Sequence, residues 1–161
     1  MDKINILNKS AISYLSKYDS TKKNLEKFLR NKIIKMKDLE KKEKFDLHQL
    51  IPKILNELED KNLINDRNFS ENKIRNLFLQ GKSEYYISNI LLKKGVEKSL
   101  IKDTLIDFEN DNPEWKTKSA EIFAKRKKLG KFGDFKNKEK DLAKMARAGF
   151  NFDISFKTLG Y

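Results

Sequence analysis

The residue string most suggestive of catalysis is Gly81-Lys82-Ser83, which matches the end of a phosphate-binding P-loop. That loop needs another glycine five positions before its second one, so that consecutive backbone N–H groups can surround the phosphates, and it must follow a β-strand. Asn76 occupies that position, within a segment of helical periodicity. The sequence therefore predicts that Gly81 is a turn residue and that Ser83 caps a helix.

Metal and acid–base chemistry find little support in the sequence. His48 is the only histidine and cysteine is absent, so a transition-metal site would have to rest mainly on carboxylates. The acidic residues are mostly interleaved with lysines at helical spacing, which is typical of surface ion pairs. No nucleophile, base and orienting group can be named. The sequence predicts a protein that is not an enzyme and that holds no metal or cofactor, with an enzyme of unrecognised site as the rival.

A basic segment carries the more informative pattern. Between Lys125 and Lys140 lie eight basic residues against only Asp134 and Glu139, with two phenylalanines and two glycines among them. Such a segment can bind phosphates or an acidic protein, and it can also be a solvated run of charge. The whole chain has a net charge of +12, which favours nucleic acid, an anionic membrane or an acidic protein without choosing among them.

The elements that position these residues are predicted to be helices throughout. Apolar residues recur at helical spacing, as in Ile12 and Leu15, and glycine and proline are few. Helix N-caps are expected at Ser20 or Thr21, at Ser83 and at Asp153. Gly95 and Gly149 are expected just after the ends of helices, and Pro113 is expected in a first helical turn. The segment from Lys35 to Lys44 is expected to be an exposed extension between the second and third helices.

An internal repeat organises these helices. A shift of 62 positions superposes Ile12 on Ile74, Leu15 on Leu77, Leu25 on Ile87, Phe28 on Ile90, Leu29 on Leu91 and Lys32 on Lys94. The predicted fold is all-α, with three tandem three-helix repeats at residues 7–64, 65–112 and 113–161 that form an elongated, curved body. Each unit alone would bury little apolar surface, which is the physical reason to stack them.

The cellular setting is predicted from what the sequence lacks. The absence of cysteine fits a reducing compartment, and the start of the chain carries Asp2 and no apolar run of the kind that marks a secretory signal. No stretch approaches the roughly 20 apolar residues of a membrane span. We expect a cytoplasmic protein, without a membrane partner, that acts as a monomer.

The second predicted repeat carries a family resemblance. Its elements are Leu63-Ile64-Asn65-Asp66, Phe69, Arg75, Gly81-Lys82-Ser83, Ile87, Leu91 and Lys94-Gly95-Val96. Together they resemble the signature of the RecX family of recombination regulators. Ala11, Tyr14-Leu15 and the segment from Ala146 to Phe150 resemble flanking parts of the same family.

The resemblance implies a partner, the RecA recombinase assembled on single-stranded DNA, and inhibition of its ATPase, strand exchange and filament growth. Direct contact with the single strand is a further expectation. The binding residues are expected to be Arg67, Arg75, Lys82, Lys93, Lys94, Lys125, Arg126, Lys127, Lys128, Lys131 and Arg147. The alternative is a general nucleic-acid-binding helical module that acts by competing for DNA. Basic side chains suit protein and DNA alike, so which of them this surface meets stays open at this point.

Overall fold

The computed structural model describes residues 2–161, and within that range every regular element is helical. The α-helices are α1 (Lys3–Lys17), α2 (Lys22–Lys35), α3 (Lys41–Asp60), α4 (Asp66–Leu79), α5 (Glu84–Lys93), α6 (Lys98–Asp111), α7 (Trp115–Lys127), α8 (Lys138–Arg147) and α9 (Phe152–Leu159), with a 3₁₀ helix at Gly130–Phe132. The all-α prediction is confirmed. The division into three tandem repeats stays a prediction.

The helix boundaries follow from local polar residues. The Thr21 hydroxyl accepts the Asn24 N–H at 3.2 Å and caps α2, as predicted. The prediction for Asp153 is wrong, because Asn151 accepts the Ile154 N–H at 2.8 Å and starts α9 earlier. Pro113 lies in a turn before α7 and not in its first helical turn. A helix begins next to the side chain that accepts a hydrogen bond from a free N–H group of its first turn.

Two other sequence expectations are refined by the structure. Ile12 was expected on the apolar stripe of the first helix, yet it is 53 % exposed, and Leu7 and Ala11 form the buried side of α1 instead. The lysine-rich stretch from Lys35 to Lys44 is mostly exposed, but its second part forms the first turn of α3. The connection between α2 and α3 is therefore shorter than predicted.

The chain divides into two compact units. The first comprises the described residues up to Phe69 together with Lys94–Val96. In it α2 packs on α1 and α3. The core consists of Leu7, Ala11, Leu25, Leu29, Ile33, Leu47, Ile51, Ile54, Leu55, Leu58 and Ile64. The Thr21 hydroxyl donates to the carbonyl of Lys94, so one threonine both caps α2 and holds the returning segment.

The second unit comprises Ser70–Lys93 and Glu97–Tyr161. Trp115 is buried against Phe108 and Phe78, with ring centroids 5.5 and 6.3 Å apart. Next to it Lys116 pairs with Glu84 at 2.7 Å and Glu109 at 3.3 Å. The hydrogen bond to Glu84 is the main cause that raises the pKa of Lys116, so this lysine stays charged. A further core cluster forms from α7, α8, α9 and the segments that connect them, and consists of Ala120, Ala124, Leu129, Met145, Phe150 and Leu159.

His48 gives the first unit an expected pH dependence. Its Nδ1 is buried without a hydrogen bond, and burial, followed by the nearby charge of Arg30, lowers the pKa of His48 below its ordinary value of 6.5. The unfolded chain therefore takes up this proton before the folded one as the pH falls. We expect stability to decrease from pH 7 to pH 5, with a slope bounded at about 1.4 kcal/mol per pH unit for one proton.

Urea unfolding followed by circular dichroism at both pH values measures this effect. His48→Gln is the control, because it removes the titrating group and should flatten the slope. An equal slope in the wild-type protein and in the variant would assign the pH dependence to other groups.

Candidate partner-binding surface

The first part of the predicted basic segment, up to Lys131, is exposed at and just after the end of α7. We define the basic surface as Lys125, Arg126, Lys127, Lys128 and Lys131, all of which are exposed. Ala124 and Leu129 on either side are buried in the core and fix which way the basic side chains face. Cations in the last turn of a helix also suit the helix dipole, which is a structural reason for part of this pattern.

Aromatic rings hold several of these cations in place. The Nζ atoms of Lys125 and Lys131 lie 5.4 and 5.2 Å from the centroid of the Phe132 ring. The guanidinium of Arg126 lies 5.7 Å from the Phe123 ring, and its Nη1 donates to the Gln80 carbonyl at 2.7 Å. These contacts restrict side chains that would otherwise move freely in solvent. They also join the basic surface to the turn between α4 and α5.

That turn brings Lys82 to the edge of the basic surface. Its carbonyl accepts the Ser119 hydroxyl of α7, and its Nζ lies 4.6 Å from the Tyr86 ring. The next residue, Ser83, accepts the Tyr86 N–H at 3.2 Å, which confirms its predicted capping role. Ser83 also donates to the carbonyl of Ala148 at 2.7 Å, so the start of α5 lies beside the end of α8, where Arg147 is the last helical residue.

The same turn shows why the P-loop match fails. The N–H groups of Gly81 and Lys82 donate to the carbonyls of Phe78 and Leu77 at 2.8 and 3.0 Å, so they are not directed at an anion. Gly81 has φ +72°, and a Cβ there would lie 2.9 Å from the Phe123 backbone nitrogen. The glycine therefore serves a tight turn against α7.

The glycines of the basic segment serve close packing as well. Gly130 has φ +51°, and a Cβ there would lie 2.6 Å from the Cβ and carbonyl oxygen of Leu159. A Cβ on Gly133 would lie 2.2 Å from the carbonyl oxygen of Lys128. The Gly130 N–H donates to Asp141 at 2.9 Å. The loop after α7 is thus held in one shape, and the basic surface is held with it.

The charges of the basic surface are not neutralised within the chain. Among residues 2–161, none of its five members forms an ion pair, and neither does Lys82 or Arg147. Basic residues elsewhere do pair, as Lys22 does with Glu59 at 3.2 Å. Lys136 likewise pairs with the nearby Asp134, at 3.5 Å. The basic surface therefore presents uncompensated positive charge to a partner.

The remaining predicted binding residues lie apart from this surface. Arg75 is exposed on α4 and Lys93 is exposed at the end of α5, and no hydrogen bond or ion pair in residues 2–161 connects either to the basic surface. Arg67 and Lys94 are exposed residues of the first unit. Seven of the predicted residues therefore belong to the basic surface or to segments that hydrogen bonds connect to it, and four lie elsewhere.

Sequence reasoning missed two members of the neighbourhood. Tyr86 lies beside the Lys82 ammonium. The signal that could have found it is the spacing of four residues between Lys82, just before α5, and Tyr86, in the first turn of α5. Gln80 contributes only its backbone carbonyl, so no residue type marks it in the sequence. Within residues 2–161 there is no group of three His, Asp or Glu residues arranged to hold a metal ion. The described helices also include none that is long and apolar enough to cross a membrane.

Known proteins resemble this chain in sequence and in fold. No family model matches the chain. The chain is 28 % identical over 158 residues to the regulatory protein RecX of Myxococcus xanthus (strain DK1622), covering 95 % of this chain and 83 % of the relative. It superposes on the crystal structure of RecX from Lactobacillus salivarius with a TM-score of 0.73 and 25 % identity, covering 97 % of this chain and 94 % of that one. The chain is therefore similar to RecX proteins in both sequence and fold.

The similarity to RecX proteins extends over both units, because each match covers nearly the whole chain. The resemblance predicted mainly from residues 63–96 is confirmed, and so is the shared helical fold. The M. xanthus relative is a regulatory protein by name.

Proposed function

We propose that this protein acts as a RecX-type regulator, which binds the RecA recombinase filament on single-stranded DNA and inhibits its ATPase, strand exchange and growth. The observation that carries the proposal is the basic surface, whose five cations have no ion-pair partner within residues 2–161. A filament on DNA presents phosphates and acidic side chains together, and an ordered basic surface complements both. Lys82 and Arg147 extend the binding site, and Arg67, Arg75, Lys93 and Lys94 are further proposed contacts.

In this proposal the protein is a regulator that performs no chemistry of its own. It acts as a monomer in the cytoplasm, and binding to the filament provides the entire effect. The rigidity of the loop after α7 supports this, because a surface that is ordered before binding loses less conformational entropy on association.

An order-of-addition experiment tests the proposal. RecA filaments are assembled on single-stranded DNA with ATP, and this protein is added at amounts well below the number of recombinase protomers. We expect ATP hydrolysis to fall on these preformed filaments, because a bound regulator acts on the filament itself. Inhibition that begins only at amounts sufficient to saturate the DNA would instead support a general nucleic-acid-binding module that competes for DNA.

A salt series sharpens the same measurement. Competition for DNA follows the affinity of the protein for bare single strands, whose logarithm falls with the logarithm of salt concentration by about 0.7 per phosphate neutralised. Filament inhibition and bare-strand binding, measured in parallel, should therefore differ in salt dependence. Coincident salt dependences would contradict a direct effect on the filament.

A further inference from the structure

A groove in the first unit combines aromatic rings with lysines and lies outside the predicted binding residues. It runs between α1 and α2, has a volume of about 450 Å³ and is open to solvent. We define the aromatic–lysine groove as Tyr14, Tyr18, Phe28, Lys9, Lys17 and Lys32, which line it. All six belong to the first unit, so the groove is a feature of that unit alone.

The rings form a short row that ends in solvent, with Tyr14 stacked on Phe28 and Tyr18 tilted by 44° against Tyr14. Tyr14 lies on Phe28 with ring centroids 4.3 Å apart and planes 22° apart, and Tyr18 follows with its centroid 5.1 Å from that of Tyr14. Tyr14 and Phe28 are partly buried against the core, whereas Tyr18 is 58 % exposed. Packing against the core accounts for the positions of Tyr14 and Phe28, but it does not account for the exposed ring of Tyr18.

The charge of the groove is of one sign. Lys9, Lys17 and Lys32 line it, and no carboxylate does. A second cavity of about 450 Å³ shares Phe28 and Lys32 and continues to Lys35, so the basic lining extends along α2. A polyanion is the complementary ligand for such a lining.

The aromatic rings distinguish this groove from the basic surface. In the second unit Phe123 and Phe132 lie beneath the protein's own Arg126, Lys125 and Lys131. Among residues 2–161, no lysine or arginine lies over the rings of the groove. The exposed ring of Tyr18 is therefore available to a flat ligand.

We propose that the aromatic–lysine groove binds single-stranded nucleic acid, with an unpaired base on Tyr18 and backbone phosphates on Lys9, Lys17 and Lys32. Lysines alternating with an exposed ring are the combination that single-strand-binding surfaces use, because every base offers a face and every nucleotide offers a charge. Duplex DNA does not fit, since its bases are already stacked. This inference deepens the proposed function, because it assigns contact with the strand to the first unit.

Tyr18→Ala tests the stacking directly. Anisotropy of a fluorescein-labelled oligodeoxythymidylate, titrated with the full chain, should show affinity about tenfold lower in this variant, the loss expected for one stacked base. Tyr18→Phe keeps the ring and should bind like the wild-type protein. Phe45→Ala removes a ring of similar exposure, 62 %, from α3 outside the groove and should leave affinity unchanged.

An abasic oligomer of the same length separates stacking from charge. It keeps the phosphates and lacks the bases, so the wild-type protein and Tyr18→Ala should bind it equally. Three results would overturn the proposal: unchanged oligothymidylate affinity in Tyr18→Ala, an equal loss on the abasic oligomer, or displacement of the oligonucleotide by oligoglutamate at equal charge concentration. No recombinase is present, so failure here leaves the filament experiment able to succeed or fail by itself.

Discussion

Reversing the charges of Lys127 and Lys128 together should raise the amount of protein needed for half-inhibition of the RecA ATPase by about 10- to 100-fold. Both residues are exposed and lack ion pairs in the described part of the chain, and the double reversal places two carboxylates where the proposal places anions. The measurement is the ATPase titration on preformed filaments. The salt dependence of inhibition should weaken in the same variant, since fewer counterions are released.

The matched control is Lys41→Glu with Lys42→Glu. These lysines are also adjacent and exposed, and their reversal changes the net charge by the same amount at the start of α3. If both double variants lose inhibition equally, overall charge and not the basic surface is responsible. Circular dichroism checks that both double variants are folded. This check is needed because charge reversal at the end of α7 opposes the helix dipole, at a cost of about 0.3–1 kcal/mol per charge.

Substituting Gly130 by alanine should destabilise the second unit by about 3 kcal/mol. The left-handed backbone at φ +51° costs an alanine about 1–2 kcal/mol, and the new Cβ would lie 2.6 Å from Leu159, a fully buried residue. Relieving that overlap requires a shift of backbone or core, at about 1–3 kcal/mol. Urea unfolding followed by fluorescence measures the loss, because Trp115 is the only tryptophan and lies buried in this unit.

Gly160→Ala isolates the packing part of this effect. Gly160 has φ +84°, but a Cβ there would come no closer than 3.3 Å to the flexible side chain of Lys131. This variant should therefore lose only the cost of the left-handed backbone, about 1–2 kcal/mol. Similar losses in both variants would show that the contact of Gly130 with Leu159 relaxes without cost.

The fold could be predicted from the sequence to the extent that it is local. Apolar spacing identifies helices, and Thr21 and Ser83 were recognised as caps because each acts on an N–H three residues further along. Asp153 failed as a cap because Asn151 lies nearer and is an equally good acceptor. Ile12 failed as a core residue because a short stripe fits more than one rotation of a helix, and neighbouring helices decide which side is buried.

The candidate surface could likewise be predicted only in its local part. The density of basic residues after α7 is visible in the sequence, and their exposure follows from the buried residues between them. The hydrogen bond from Arg126 to the Gln80 carbonyl spans 46 positions. Because its acceptor is a backbone atom, no pattern of residue types predicts it. The aromatic–lysine groove also depends on packing, because Phe28 meets Tyr14 only when α2 lies against α1.

The first unit is discontinuous along the chain, and this has a consequence for its synthesis. The unit needs Lys94–Val96, which leave the ribosome only after the segment Ser70–Lys93. At about 5–20 residues per second, that segment takes roughly one to five seconds to translate. During this interval the Thr21 hydroxyl lacks the carbonyl that it binds in the finished protein, while α4 and α5 already emerge. A chain that ends within α5 therefore lacks the Lys94 carbonyl to which the Thr21 hydroxyl donates in the finished protein.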